Sequence, residues 1–116
     1  MDSLNFRIQT IESKQFGPFW ETMFIIAAGF PENPTNSEKE IYKSFYYLFL
    51  RLIPCGKCRM YAIQVLDTQV KIDLTSPATL FLSLYKWKSI VNDKLGKKND
   101  SFEQVLSKYL GYRVKY

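Results

Sequence analysis

Proline and glycine constrain this chain more than any other feature, because they fix where helices can begin and end. Pro18, Pro31, Pro34, Pro54 and Pro77, with Gly29, Gly96 and Gly111, fall where apolar runs of helical period start or stop. Proline lacks an amide hydrogen and is tolerated in a first turn but not in a helix interior, while glycine readily takes the left-handed conformation that closes a helix. The stretch "PFWETMFIIAA" therefore reads as a first helix, closed by Gly29, Pro31 and Pro34. Ser37 and Glu40 form a candidate capping box for a second, in which Ile41, Phe45, Leu48, Phe49 and Leu52 make an apolar stripe that Pro54 ends. A third helix is expected from about Cys55 to Leu66. A fourth, capped by Thr75 or Ser76 with Pro77 at its first position, carries Leu80, Leu84, Trp87, Val91 and Leu95 and stops at Gly96. Asp100 or Ser101 opens a short fifth that Gly111 ends. Strand signals do not recur, so the expectation is an all-α domain: a four-helix bundle with a short additional fifth helix.

A chain of 116 residues suits one domain. Its 47% hydrophobic and 16% aromatic residues set it apart from disordered sequences, so a core can form. We take residues 15–116 as the single domain and 1–14 as an N-terminal extension of unknown role. No apolar stretch is long enough for a membrane span. The N-terminus lacks the basic start and apolar run of a signal peptide, so the expected location is cytoplasmic rather than secretory. The net charge of +5 is concentrated late, where Lys86, Lys88, Lys94, Lys97 and Lys98 have only Asp93 among them. That pattern suits a solvated helix face, a phosphate-bearing ligand or nucleic acid, and charge alone does not choose.

The two cysteines, Cys55 and Cys58, stand in "RLIPCGKCRMYA", and the chain has no histidine. Placed at the head of the third helix, they are one turn apart, within disulfide reach. Amide groups at a helix start, with Arg51, Lys57 and Arg59 nearby, favour a thiolate. Three readings follow: a redox dithiol, a pair of inert core cysteines, or half of a zinc site completed across a dimer, since two ligands cannot hold zinc alone.

Several motifs, in order along residues 16–112, resemble the Erv/ALR family of FAD-linked sulfhydryl oxidases, its minimal viral members in particular. Gly17 and Trp20 in "FGPFWETMF" resemble the family's WGxxxW, with Phe16 where a tryptophan is usual and one residue fewer before Trp20. "PCGKCRMYA" resembles PCxxCRxHA, "VNDKLGKK" resembles part of HNxVNxxLGK, and Gly111–Tyr112 resembles a late GW. Phe24, Tyr61 and Lys88 stand where family members carry histidines.

The resemblance implies an enzyme that binds FAD within the bundle, among the first, third and fourth helices. Cys55 and Cys58 would be its catalytic pair, Cys55 exchanging with substrate and Cys58 facing the flavin. Phe16, Gly17, Trp20, Phe24, Tyr61, Lys88, Val91, Asn92, Leu95, Lys97, Lys98 and Tyr112 would contact the cofactor, with no metal. It further implies a protein dithiol or thioredoxin-like relay as electron donor and oxygen as acceptor, giving hydrogen peroxide. No nucleic acid or membrane span is implied. A homodimer is the family's habit, and so bare a domain is mostly found in large cytoplasmic DNA viruses. The alternatives are a flavin-free binding or scaffold protein on the same fold and a CxxC thiol–disulfide exchange protein.

Overall fold

A computed structural model describes residues 17–112. Phe16 and the extension at 1–14 lie outside that range. Five α-helices follow in order: α1 Gly17–Ala28, α2 Asn36–Phe49, α3 Gly56–Thr68, α4 Pro77–Leu95 and α5 Phe102–Leu110, with a 3-10 turn at Leu50–Leu52. The described residues contain no strand, in keeping with the all-α expectation.

The helix α4 is the spine, packed against α1, α3 and α5. Its expected stripe is its buried face: Leu80, Leu84, Trp87 and Val91 are fully enclosed and Leu95 partly so. Burying each contributes about 1.5–3 kcal/mol. The ends follow their chemistry. Ser76 accepts from the Thr79 amide, Pro77 occupies the first turn, and Gly96 closes the helix at φ 70°, a left-handed conformation that suits glycine. Ser101 caps α5 in the same way, through Gln104.

Two expectations for α2 need correction. Its capping box is Thr35 with Glu38, not Ser37 with Glu40: the Thr35 hydroxyl accepts from the Glu38 amide at 3.1 Å and the Glu38 carboxylate accepts from the Thr35 amide at 2.9 Å. The segment "TNSEKE" holds two overlapping patterns, and the earlier one wins because Thr35, at ψ 164°, is still extended while Ser37 already lies within the helix. These bonds hold the Glu38 carboxyl below its usual range.

The inner face of α2 also differs from expectation. Ile41, Leu48 and Leu52 are exposed, whereas Tyr46 and Leu50 are buried and Tyr42 partly so. Tyrosine can line a core when its hydroxyl finds a partner. Here the Tyr46 hydroxyl donates to the Met23 carbonyl of α1 at 3.0 Å, and Tyr42 meets Phe30 edge-on at 4.7 Å. The second helix gives way to the 3-10 turn before Pro54, and Ile53 is extended at ψ 124°, as the residue before proline should be.

Candidate active site

The third helix begins one residue later than expected, at Gly56, so Cys55 is its N-cap. The Cys55 Sγ accepts from the Cys58 amide at 3.2 Å, a sulfur taking the place of the usual capping oxygen. Cys55 and Cys58 are joined as a disulfide, with Cα atoms 5.2 Å apart. Pro54 and the extended Ile53 set the entry angle. The Arg59 guanidinium donates to the Ile53 carbonyl at 3.2 Å and ties that entry strap to α3.

The two sulfurs are not equivalent. Cys58 is 0% exposed and Cys55 3%, so what little solvent reaches the pair reaches Cys55. As the capping residue, Cys55 has the amides and positive end of α3 directed at it, which stabilise a thiolate there. Cys58 faces the core on the same side of α3 as Ala62, one turn on. The Trp87 indole donates to the Ala62 carbonyl at 3.0 Å and meets Trp20 edge-on, with ring centroids 5.0 Å apart. A tryptophan pair from α1 and α4 is thereby held against the helix face that carries Cys58.

A second group lies further along α1 and α4. Phe24 stacks on Tyr109 at 5.2 Å with 16° between planes, and packs on Phe81 at 5.0 Å. The Lys88 ammonium lies 5.8 Å above the Phe24 ring. Partial burial is the main influence lowering the Lys88 pKa, and nearby Lys108 and Lys97 push it the same way, against the attraction of Asp100. Burial also lowers the pKa of Lys97. Tyr61, on α3, is flanked by the Lys57 and Lys94 ammonium groups, each 5.9 Å from its ring centre. Two of the expected cofactor contacts, Phe24 and Tyr61, thus each have a lysine over the ring, and a third, Lys88, is one of those lysines.

The other expected contacts are spread unevenly. Val91 is fully buried beside Trp87 on α4, and Asn92 is buried with its amide donating to Asn99 Oδ1 at 3.0 Å. Asn99 in turn donates to Asp93 Oδ1 at 2.9 Å. Asn92 therefore braces the connection that carries Lys97 and Lys98. Leu95 is half-buried, Lys98 is exposed, and Gly17 starts α1 on the surface. Tyr112 is about half exposed and 6.2 Å from Tyr109. Tyr109 was not among the expected contacts, although its spacing of four from Val105 marks it as part of α5's apolar face.

The model of the Erv1/Alr family matches residues 18–110. This chain belongs to that family. It is 31% identical over 99 residues to a protein of Acanthamoeba polyphaga mimivirus, covering 80% of this chain and 67% of the relative. It is 26% identical over 103 residues to one of Invertebrate iridescent virus 3, covering 86% and 69%. A Saccharomyces cerevisiae protein matches at 31% over 48 residues, 41% of this chain and 24% of its own length. All three carry the name FAD-linked sulfhydryl oxidase, provisionally for the two viral proteins.

A flavin dinucleotide asks for flat apolar walls near a redox sulfur and for cations opposite its diphosphate. The residues of α1, α3 and α4 fit it on both counts. Trp20 and Trp87 lie on the Cys58 side, while Phe24 with Lys88 and Tyr61 with Lys57 and Lys94 combine ring faces with ammonium groups.

Proposed function

We propose that this protein is an FAD-dependent sulfhydryl oxidase that makes disulfides in protein dithiols. The observation that carries the reading is the Cys55–Cys58 disulfide at the head of α3, one sulfur capping the helix and the other turned into an aromatic core.

The residues divide the work as follows. A substrate thiolate attacks Cys55 Sγ, a substrate–Cys55 bond forms, and the Cys55–Cys58 bond breaks to leave a Cys58 thiolate. The substrate's second thiolate then attacks its own sulfur in the mixed disulfide, closing the substrate disulfide and releasing Cys55 as a thiolate. Leaving-group stability speeds that step, and the Cys58 amide with the positive end of α3 supplies it. Bound FAD would supply the acceptor for the two electrons of the resulting Cys55–Cys58 dithiol, with Cys58 the sulfur turned toward it, and the route from there to oxygen, with hydrogen peroxide as the product. Trp20, Trp87 and Val91 keep water from the Cys58 side; Phe24, Tyr61, Lys88 and Lys97 would hold the cofactor. No step calls for a histidine base.

The chain has no cysteine beyond this pair. In this reading electrons enter these residues at Cys55 from a protein dithiol or a thioredoxin-like relay, and a cytoplasm is the proposed location. The exposed apolar side chains on the outer face of α2, Ile41 and Leu48, support a homodimer formed through that helix. Purified protein supplied with FAD should be yellow and should consume oxygen with dithiothreitol, yielding peroxide. Cys58→Ser should abolish that consumption. A folded protein that stays colourless with FAD would instead favour the binding or scaffold alternative.

A further inference from the structure

We propose that the surface around the Cys55–Cys58 disulfide is a docking face for an electron-donor protein whose dithiol is flanked by acidic and apolar residues. The proposal rests on the oxidase reading for its purpose, but on separate observations for its chemistry.

The disulfide itself offers almost no surface, so recognition falls to its rim. That rim has two components. Leu52 is 76% exposed and Met60 54% exposed, large apolar side chains standing in water on either side of Cys55 in the chain. Leu52 lies in the 3-10 turn before Pro54, and Met60 on the solvent side of α3, opposite the buried Cys58. Arg51, next to Leu52, and Lys57 and Arg59, in the first turn of α3 ahead of Met60, are also exposed. No Asp or Glu occurs from residue 41 to residue 66, so the chain around the disulfide has no acid of its own to offset the three cations. Arg59 and Lys57 are already oriented, one on the Ile53 carbonyl and the other over Tyr61.

Exposed apolar side chains framed by charges of one sign match a partner with apolar residues framed by the opposite sign. Methionine adapts its shape to an apolar partner, so Met60 can conform to the apolar residues of the donor. A donor with basic residues around its dithiol would be repelled from the same rim, so the face selects as well as binds.

The test measures binding apart from turnover. Fluorescein-labelled peptides with serine in place of the two thiols are titrated with the intact protein by anisotropy, one flanked by Leu and Glu, the other by Leu and Lys. At low salt the acidic peptide should bind about ten-fold tighter, from three charges each contributing at the modest level of surface pairs, and the gap should close as salt rises. The double variant Leu52→Ser, Met60→Ser should weaken the acidic peptide about five-fold, the loss of two partly buried apolar contacts, while dithiothreitol oxidation stays unchanged. Equal binding of the two peptides overturns the proposal. So does dissociation of a protein dimer by the double variant, which would make the face a contact between copies, and so does binding of acidic lipid vesicles in preference to the acidic peptide. Selective binding of the acidic peptide by a protein that fails to oxidise dithiothreitol would uphold the docking face and refute the oxidase.

Discussion

Replacing Lys88 by methionine should pull stability and cofactor binding in opposite directions. Lys88 is half-buried above Phe24, with burial and two neighbouring lysines lowering its pKa. A lysine whose folded pKa lies below its unfolded value makes the folded state the poorer proton binder. Its charge therefore costs stability at every pH below the folded pKa, and the cost fades as pH rises through that value toward the unfolded one. Such a cost is sensible only where the charge is used. Methionine keeps the length of the side chain, packs well on an aromatic ring and removes the charge. The flavin-free Lys88→Met protein should therefore melt no lower than the parent at neutral pH. FAD should bind more weakly. A charge-assisted hydrogen bond is worth about 1.5–3 kcal/mol, and partial exposure reduces this to about 1–2 kcal/mol, or about five- to thirty-fold in Kd. Equilibrium titration by FAD fluorescence, paired with thermal unfolding of the flavin-free protein, reads both effects. The parent's affinity should also fall at a lower pH than an ordinary lysine would impose. A variant that binds FAD like the parent, or melts several degrees lower without it, would refute the reasoning.

Trp87 joins α1, α3 and α4, and Trp87→Phe should cost about 2–3 kcal/mol from the lost bond to Ala62 and lost burial, lowering the melting temperature by roughly 10 °C; a shift within error would mean that the indole is not a structural link. Thr35→Ala should cost about 1 kcal/mol in urea unfolding while Ser37→Ala leaves stability unchanged or slightly higher, and the reverse order would return the cap to Ser37.

The elements legible in the chain are those set by local chemistry. Pro77 and Gly96 bound α4, and the spacing of Leu80, Leu84, Trp87 and Val91 identifies its inner face, because each signal lies within a few turns of what it decides. The proline before Cys55 likewise marks the head of α3. The inner face of α2 was hidden because its buried members include tyrosines, whose place depends on a carbonyl of another helix, as with Tyr46 and Met23. Two caps overlapped in "TNSEKE", and only the backbone conformation at Thr35 separates them. In the site, the cysteine pair was readable from its motif. The second lysine beside Tyr61 was not, because Lys94 reaches it from α4, more than 30 residues further along. Tyr109 lies outside the GY motif, and its stacking on Phe24 brings together residues more than 80 positions apart, which local spacing does not signal.

The relation between the buried sulfur and the flavin is tested most directly by mixing FAD-loaded protein with dithiothreitol in the absence of oxygen and following the visible flavin absorbance. The parent should bleach while Cys58→Ser stays yellow. Bleaching of Cys58→Ser at the parent's rate would contradict that relation.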